Sequence, residues 1–242
     1  MNKIYCLPPI ITGDETKLLG NGDLEVPDRS FPYDRRRQEN QGRTNRCVFY
    51  MWAEILENKV FNTLGRWYMI PEDEILRIWN KAKKAGLASE SNGAYMNAPL
   101  KMMEDGEIIT MVDVVSGDSI TVTQNNWYVV ANRADARQDY IDKILKEVSY
   151  NGGVMCGVNT KQARLGYLEA NDKPYIINKN NNPKAIAHAT GLTAYDLINK
   201  PNRIATSGTY GENFGNEGVL YYQLDDLWSL FTPLGFMINI RE

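Results

Sequence analysis

The hydrophobic pattern changes halfway along the chain, from helical spacing to short β-branched runs. Residues 47–53 are all apolar, which is typical of a buried helix, and later apolar positions recur at helical spacing. Pro71 opens one of these stretches, with acidic residues after it and lysines at its end, as the helix dipole favours. The predicted helices cover residues 47–57, 71–82, 96–104 and 139–148.

Turn residues divide the β-branched runs of the second half into predicted strands. These cover residues 112–115, 120–123, 127–130, 154–158, 184–190, 193–198, 204–206 and 219–224. Residues 125–126 mark one predicted turn and Gly191 marks another. Helices followed by strands predict an α+β protein with a helical lobe (about 40–110) and a sheet lobe (about 111–225). A site is expected in the cleft between the lobes.

The two ends of the chain lie outside this pattern. Residues 1–26 are predicted to be an N-terminal extension made of extended chain and turns. Residues 226–242 form an apolar tail, which either packs on the sheet lobe or serves as a docking strand for a protein partner. The domain itself is therefore predicted to cover residues 27–225.

Composition and charge exclude several functions. A net charge of −3 over 242 residues lacks the basic footprint of a nucleic-acid-binding protein, and no apolar run approaches the roughly 20 residues that span a bilayer. The chain reaches Pro8 and Pro9 before a signal-peptide core develops, so we expect a cytoplasmic protein that is not secreted. With three widely spaced cysteines and one histidine, we expect no disulfide framework, no metal and no cofactor.

The single histidine and one of the thiols remain as a candidate nucleophile–base pair. Asn45 is a suitable N-cap for the first predicted helix, which places Cys47 in its first turn, where the helix dipole lowers the pKa of a thiol. His188 lies in a predicted strand. The alternative interpretations are a buried structural cysteine and a hydrogen-bonded structural histidine.

Six segments follow one another in an informative order. They are residues 27–36 (PDRSFPYDRR), 41–49 (QGRTNRCVF), 91–94 (SNGA), 152–158 (GGVMCGV), 188–195 (HATGLTAY) and 208–219 (GTYGENFGNEGV). His188 follows Cys47 by 141 residues, a separation typical of the papain and cathepsin class. Over residues 27–224 the chain therefore resembles the papain-like cysteine peptidases. The resemblance implies a two-lobe fold, with Cys47 on a central buried helix and His188 on an antiparallel sheet or barrel.

The resemblance also implies roles for individual residues. Cys47 is the nucleophile, His188 is its base and later the general acid, and Gln41 donates a hydrogen bond to the oxyanion. Gly93 and Ala94 pair with the backbone of a polypeptide substrate. These roles define the expected partner as a peptide and the expected reaction as amide hydrolysis.

The residue that orients the histidine departs from the family pattern. The family's asparagine falls at Gly208, or at Ser207 if the loop shifts by one residue. Ser207 carries a hydroxyl that can orient an imidazole, and Asn202 and Asn213 are the other candidates. Tyr210 stands where the family has a tryptophan, and we expect it to contact substrate.

Two further departures concern what holds and restrains the site. Thr44 and Ser91 occupy the two positions of the family's disulfide, a joint loss that agrees with a reducing compartment. The 46 residues before Cys47 are too few for the family's inhibitory pro-segment.

The sequence leaves three functions open. The first is a papain-like cysteine peptidase that works through an acyl-enzyme. The second is a catalytically weak or inactive papain-like domain that serves as a structural, assembly or binding module, for example in a phage or bacterial particle. The third is a Cys–His acyl transferase or cell-wall amidase, which fits the spacing of the motifs less well.

Overall fold

The computed structural model describes residues 6–7, 24–30, 40–42, 44–104, 106–132, 134–159, 176–177, 187–198, 202–207, 219–224 and 233–241. Its helices are α1 (Cys47–Leu64), α2 (Glu72–Lys84), α3 (Ala98–Glu104) and α4 (Arg137–Asn151). Its strands are β1 (Cys6–Leu7), β2 (Arg29–Ser30), β3 (Tyr68–Met69), β4 (Ala88–Ser89), β5 (Gly93–Tyr95), β6 (Ile108–Asp113), β7 (Ser119–Val129), β8 (Val154–Asn159), β9 (Ile176–Ile177), β10 (Ala187–Asp196), β11 (Arg203–Ser207), β12 (Val219–Gln223) and β13 (Leu234–Arg241). All four predicted helices are present, and the α+β class is confirmed.

The strands form a small sheet and a large one. The small sheet has the order β1-β5-β4, and the large sheet has the order β3-β6-β7-β13-β8-β10-β11-β12-β9, with β2 also paired to β10. Two buried clusters cover the large sheet: one packs α1, α2 and α3 against β6 and β7, and the other packs α4 against β8, β10 and β11. The helical half of the chain is thus joined to the sheet through a shared core.

Two predicted turns are continuous strand. β7 runs through residues 125–126, whose side chains are exposed, and its partner β13 shifts register opposite them. β10 runs through Gly191, and its irregularity is a shift in pairing with β11 between Leu192 and Ala194. Asparagine and glycine favour a bulge as well as a turn, so the local sequence does not separate the two.

Helix α1 is buried along most of its length and lies unusually close to the sheet. It runs past its predicted end to Leu64 and is closed by Gly65, whose φ of 68° lies in the left-handed region that favours glycine. A Cβ on Gly191 would lie 3.0 Å from Ile55 Cδ1, and a Cβ on Gly153 would lie 2.7 Å from the same atom. Glycine at these two positions therefore lets α1 rest directly on β8 and β10.

A buried ion pair fixes α1 to the sheet lobe. Lys59 Nζ of α1 lies 3.6 Å from Glu147 Oε1 of α4, and the ammonium also lies 4.9 Å from the ring centre of Phe236 on β13. Glu147 accepts further hydrogen bonds from the Tyr128 hydroxyl at 2.7 Å and from Asn151 Nδ2 at 2.8 Å. The buried ion pair and its neighbours therefore link α1 to three elements of the sheet lobe, which are α4, β7 and β13.

The C-terminal residues belong to the large sheet. Along β13 the strand pairs with β7, and Leu234 also pairs with Met155 of β8. Two arrangements were predicted for the apolar tail. Residues Leu234–Arg241 adopt the first of them and pack on the sheet lobe. Within the described residues, every helix is too short or too polar to cross a membrane.

Candidate active site

Cys47 is the first residue of α1 and is completely buried. The residue at the N-cap position is Arg46, which makes no side-chain capping bond. The prediction that Asn45 caps the helix is wrong, because Arg46 occupies the N-cap position and Asn45 lies one residue before it. The Asn45 Nδ2 group donates to the carbonyl oxygen of Glu90 at 2.8 Å. The start of α1 therefore has no side-chain cap.

Burial raises the pKa of the Cys47 thiol from its ordinary value of 9.0 to about 11. Hydrogen bonds from the backbone of Ala189, Val48 and Cys47 itself act in the opposite direction and favour the thiolate. The sequence-based expectation of a lowered pKa is wrong for this conformation, because loss of water outweighs the helix terminus. The thiol described here is protonated at neutral pH.

His188 lies on β10, a strand of the sheet lobe that contacts α1. It lies opposite Val158 of β8, and only 4% of its surface is exposed. Ala189, whose backbone hydrogen-bonds to the Cys47 sulfur, is the next residue along the strand. The fold therefore brings the buried thiol of α1 to within one residue of the chain's single histidine.

Gln41 lies in a tight turn six residues before Cys47. Its side chain is buried, and its Nε2 donates to the carbonyl oxygen of Thr44 at 2.9 Å. In return the Thr44 hydroxyl donates to the carbonyl oxygen of Gln41 at 2.7 Å. These two bonds hold the turn that precedes α1.

Gly93 and Ala94 lie on β5, whose two edges are both paired. On one edge β5 is antiparallel to β4, and on the other it is parallel to β1, with Cys6 opposite Ala94 and Leu7 opposite Tyr95. β1 also contacts β10, the strand that carries the histidine. The edge that the resemblance assigns to a substrate backbone is therefore occupied by the chain's own residues.

The candidates for orienting the imidazole lie at different distances along β10. Ser207 pairs with Gly191, three residues or about 10 Å along the strand from His188, and its role stays a prediction. Asn202 precedes Arg203, which pairs with Asp196, eight residues along β10 from His188. Roughly 25 Å of strand therefore separates Asn202 from His188, and the proposal that Asn202 orients the imidazole is wrong. Gly208, Tyr210 and Asn213 lie outside the described residues.

Sequence reasoning missed two contributors to this site. Ala189 supplies a backbone hydrogen bond to the thiol, and Glu90 gathers polar groups beside the start of α1. Each is adjacent in sequence to a residue that the motifs single out, His188 and Ser91. Neither has a side-chain pattern that marks it in advance, because one acts through its backbone and the other through residues distant in the chain.

A central buried helix that begins at a cysteine, packed across a sheet that carries the single histidine, is the two-lobe fold of the papain-like cysteine proteases. The structure is similar to xylellain, a cysteine protease from Xylella fastidiosa, with a TM-score of 0.69 and 12% identity over 97% of this chain and 96% of that one. It is similar to digestive procathepsin L 3 of Tenebrio molitor larval midgut (TM-score 0.67, 11% identity, 92% of this chain and 73% of that one). It is also similar to procathepsin B S9 from Trypanosoma congolense (TM-score 0.67, 10% identity, 98% and 86%).

These likenesses are of shape and not of sequence. No protein-family model matches the chain, and no curated protein matches it in sequence. TM-scores of 0.67–0.69 show the predicted fold, and with identities of only 10–12% the chemistry has to be argued from the residues.

Proposed function

We propose that the protein is a cysteine peptidase that cleaves peptide bonds through Cys47 and His188. The observation that supports this most directly is the hydrogen bond between the Cys47 thiol and the backbone of Ala189, beside the single histidine. A thiol and an imidazole from two lobes are the minimum that acyl transfer needs. The substrate class is polypeptide, and the reaction needs no cofactor.

The chemistry follows from the two groups. His188 takes the thiol proton, and the thiolate attacks the carbonyl carbon of the scissile amide to give a tetrahedral oxyanion. Collapse of this oxyanion breaks the C–N bond, and the imidazolium gives its proton to the leaving amine. Water, deprotonated by His188, then attacks the thioester, and the carboxylic acid product and the Cys47 thiol are released.

The oxyanion needs donors that are already in place. The Gln41 side-chain amide and the N–H of Cys47 are the proposed pair, since the turn that holds Gln41 leads directly into α1. Ser207 is the proposed orienting group for the imidazole, in the role that asparagine has in the family. Tyr210 remains the proposed contact at the edge of the substrate groove.

The conformation described here is a closed form of such an enzyme. The thiol is buried, its pKa is raised, and β1 occupies the edge of β5. Turnover requires β1 to leave β5, so that a peptide pairs with Ala94 and the imidazolium replaces lost hydration as the partner of the thiolate.

Substitution of the three proposed groups tests the mechanism. Cys47→Ala and His188→Ala should abolish cleavage of a peptide library, and Gln41→Ala should lower kcat by about 10²–10³-fold, the usual cost of one oxyanion donor. An epoxysuccinyl reagent should label Cys47 faster than Cys6 and Cys156, and His188→Ala should remove that preference. Equal, slow labelling of all three thiols, with no cleavage, would refute the peptidase.

A papain-like domain that binds or assembles without cleaving is the second candidate. The completely buried thiol with a raised pKa favours it, as does the glycine at position 208 where the family has an orienting asparagine. If this candidate is right, Cys47→Ala should leave binding or assembly unchanged. If the protein is a peptidase, the same substitution should abolish cleavage.

A further inference from the structure

A cluster of polar contacts joins the start of α1 to the loop between β4 and β5. The loop residues 90–92 lead into β5, which carries the proposed substrate-pairing residues. Asn45, two residues before the thiol, donates from Nδ2 to the carbonyl oxygens of Glu90 at 2.8 Å and of Ser91 at 3.4 Å. One amide thus holds two successive peptide groups of the loop.

The Glu90 carboxylate adds a second set of contacts at the same place. Its Oε1 lies 3.6 Å from Arg46 Nη2, 2.9 Å from Lys83 Nζ and 3.2 Å from Trp79 Nε1. The Arg46 guanidinium in turn lies 5.6 Å from the ring centre of Trp79. Hydrogen bonding to Lys83 and Trp79 and the charge of Arg46 hold the pKa of Glu90 below its ordinary value, so the carboxylate is charged at neutral pH.

These contacts lie beside the two positions at which the papain-like family has a disulfide. Thr44 and Ser91 flank the cluster, and neither can form a disulfide. The backbone of the loop is instead bound by Asn45, and its side chain by Arg46, the residue directly before Cys47. A charged and hydrogen-bonded link is unaffected by thiol reductants, unlike a disulfide.

We propose that Asn45 and Glu90 are positioning residues, which hold the substrate-pairing strand β5 at a fixed place relative to the Cys47 thiol. The inference rests on the proposed peptidase function, because it concerns how a peptide on β5 is presented to the thiol. Neither residue touches the reacting atoms. Their loss shifts β5 and leaves the thiol, which is set by α1 and β10, in place.

Exposure separates this role from a purely structural one. The Glu90 side chain is 54% exposed, and an ion pair so open to water adds little to global stability. Glu107 offers a matched control, because it bridges Lys81 (2.8 Å) and Arg77 of the same helix α2. It does so at the start of β6, away from the Glu90 loop. Removing either carboxylate deletes a contact to two cations, but only Glu90 joins α1 to β5.

The test compares two reagents on the full chain. An epoxysuccinyl-leucyl-amide probe must align on β5 before it reacts with Cys47, whereas iodoacetamide needs only access to the thiol. Mass spectrometry of the Cys47 peptide gives both rates for the wild type, Asn45→Ala, Glu90→Ala and Glu107→Ala. Amide hydrogen exchange of residues 93–95 is measured on the same proteins.

Asn45→Ala and Glu90→Ala should lower the ratio of epoxide rate to iodoacetamide rate at least fivefold, with the iodoacetamide rate within twofold of wild type. Exchange at residues 93–95 should accelerate in both, and Glu107→Ala should change neither quantity. A ratio and an exchange rate in Glu90→Ala within twofold of those in Glu107→Ala overturn the inference.

The same measurements distinguish failure of the proposed peptidase function from failure of the positioning role. A wild type that takes the epoxide at Cys47 but cleaves no peptide refutes the proposed function, and the ratio still decides the positioning role. If Cys47 takes neither reagent, exchange decides: faster exchange in Glu90→Ala alone supports the link, and equal exchange in the two glutamate variants refutes it.

Discussion

The Cys47 thiol and the backbone of Ala189 are joined by a hydrogen bond, so the first residue of α1 meets β10 directly beside His188. One of these residues begins a helix of the helical lobe, and the other lies in the middle of the large sheet. The candidate site is therefore only as well defined as the packing of α1 on β10. That dependence gives the site several properties that can be measured.

The buried Cys47 thiol should make stability fall at high pH. Its pKa in the folded protein is about 11, against an ordinary value of 9.0. A raised folded pKa means that the stabilising contribution is fully present below pH 9 and is lost as the pH rises through 11. The difference of two pH units corresponds to about 2.7 kcal/mol.

Urea unfolding at pH 8 and at pH 11 measures this loss. Cys47→Ala, which cannot ionise, should lose less stability than the wild type over the same interval, by roughly 2–3 kcal/mol. The comparison removes the effects of other groups that titrate there, including the buried Cys156 thiol. Equal losses in the two proteins would show that the thiol is hydrated in solution.

The close approach of α1 to β10 should make Gly191 sensitive to a single methyl group. A Cβ at this position meets Ile55 Cδ1 at 3.0 Å, so Gly191→Ala should destabilise the protein by about 1–3 kcal/mol. Ile55→Val deletes that Cδ1 atom. The double variant should therefore be more stable than the sum of the two single changes predicts, as measured by a double-mutant cycle in urea. Strict additivity would contradict the contact.

The sequence predicted the helices better than the strands for a physical reason. The run of apolar residues from Cys47 and the amphipathic stretch from Pro71 are local signals, and both helices begin within one residue of the predicted start. The continuity of β10 through Gly191 depends on partners in β8 and β11, which lie far away in the chain. Local turn chemistry carries no information about those partners.

The candidate site divides in the same way. Motif order and spacing placed Cys47 and His188 on the two elements that meet, but the raised pKa of the thiol could not be predicted, because it results from burial by residues remote in sequence. The role of Asn45 was mistaken for a similar reason. The helix begins one residue later than a cap at Asn45 requires, and the Asn45 amide nitrogen donates to a loop 45 residues away, which local sequence does not reveal.

Removing only one partner of the Lys59–Glu147 ion pair should lower the stability of the fold more than removing both charges. Lys59→Met leaves the Glu147 carboxylate buried without its cation, and such single removals usually cost about 3–5 kcal/mol. Adding Glu147→Gln removes the unpaired charge and keeps an acceptor for the Tyr128 hydroxyl, so part of the stability should return. Thermal or urea unfolding of the four proteins gives the coupling. A double variant no more stable than Lys59→Met would show that packing, and not charge, holds this junction.

Displacing β1 should open the site. One of the two N–H groups of Cys6 and Leu7 faces β5, because successive groups of a strand point to opposite edges. Proline has no N–H, so either Cys6→Pro or Leu7→Pro should weaken the pairing, while Cys6→Val keeps the N–H and serves as the control. The weakened variant should free the edge of Ala94 for a peptide, and the rate at which an epoxysuccinyl peptide labels Cys47 should rise at least tenfold. Rates in both proline variants equal to that of Cys6→Val would mean that β1 does not limit access to the thiol.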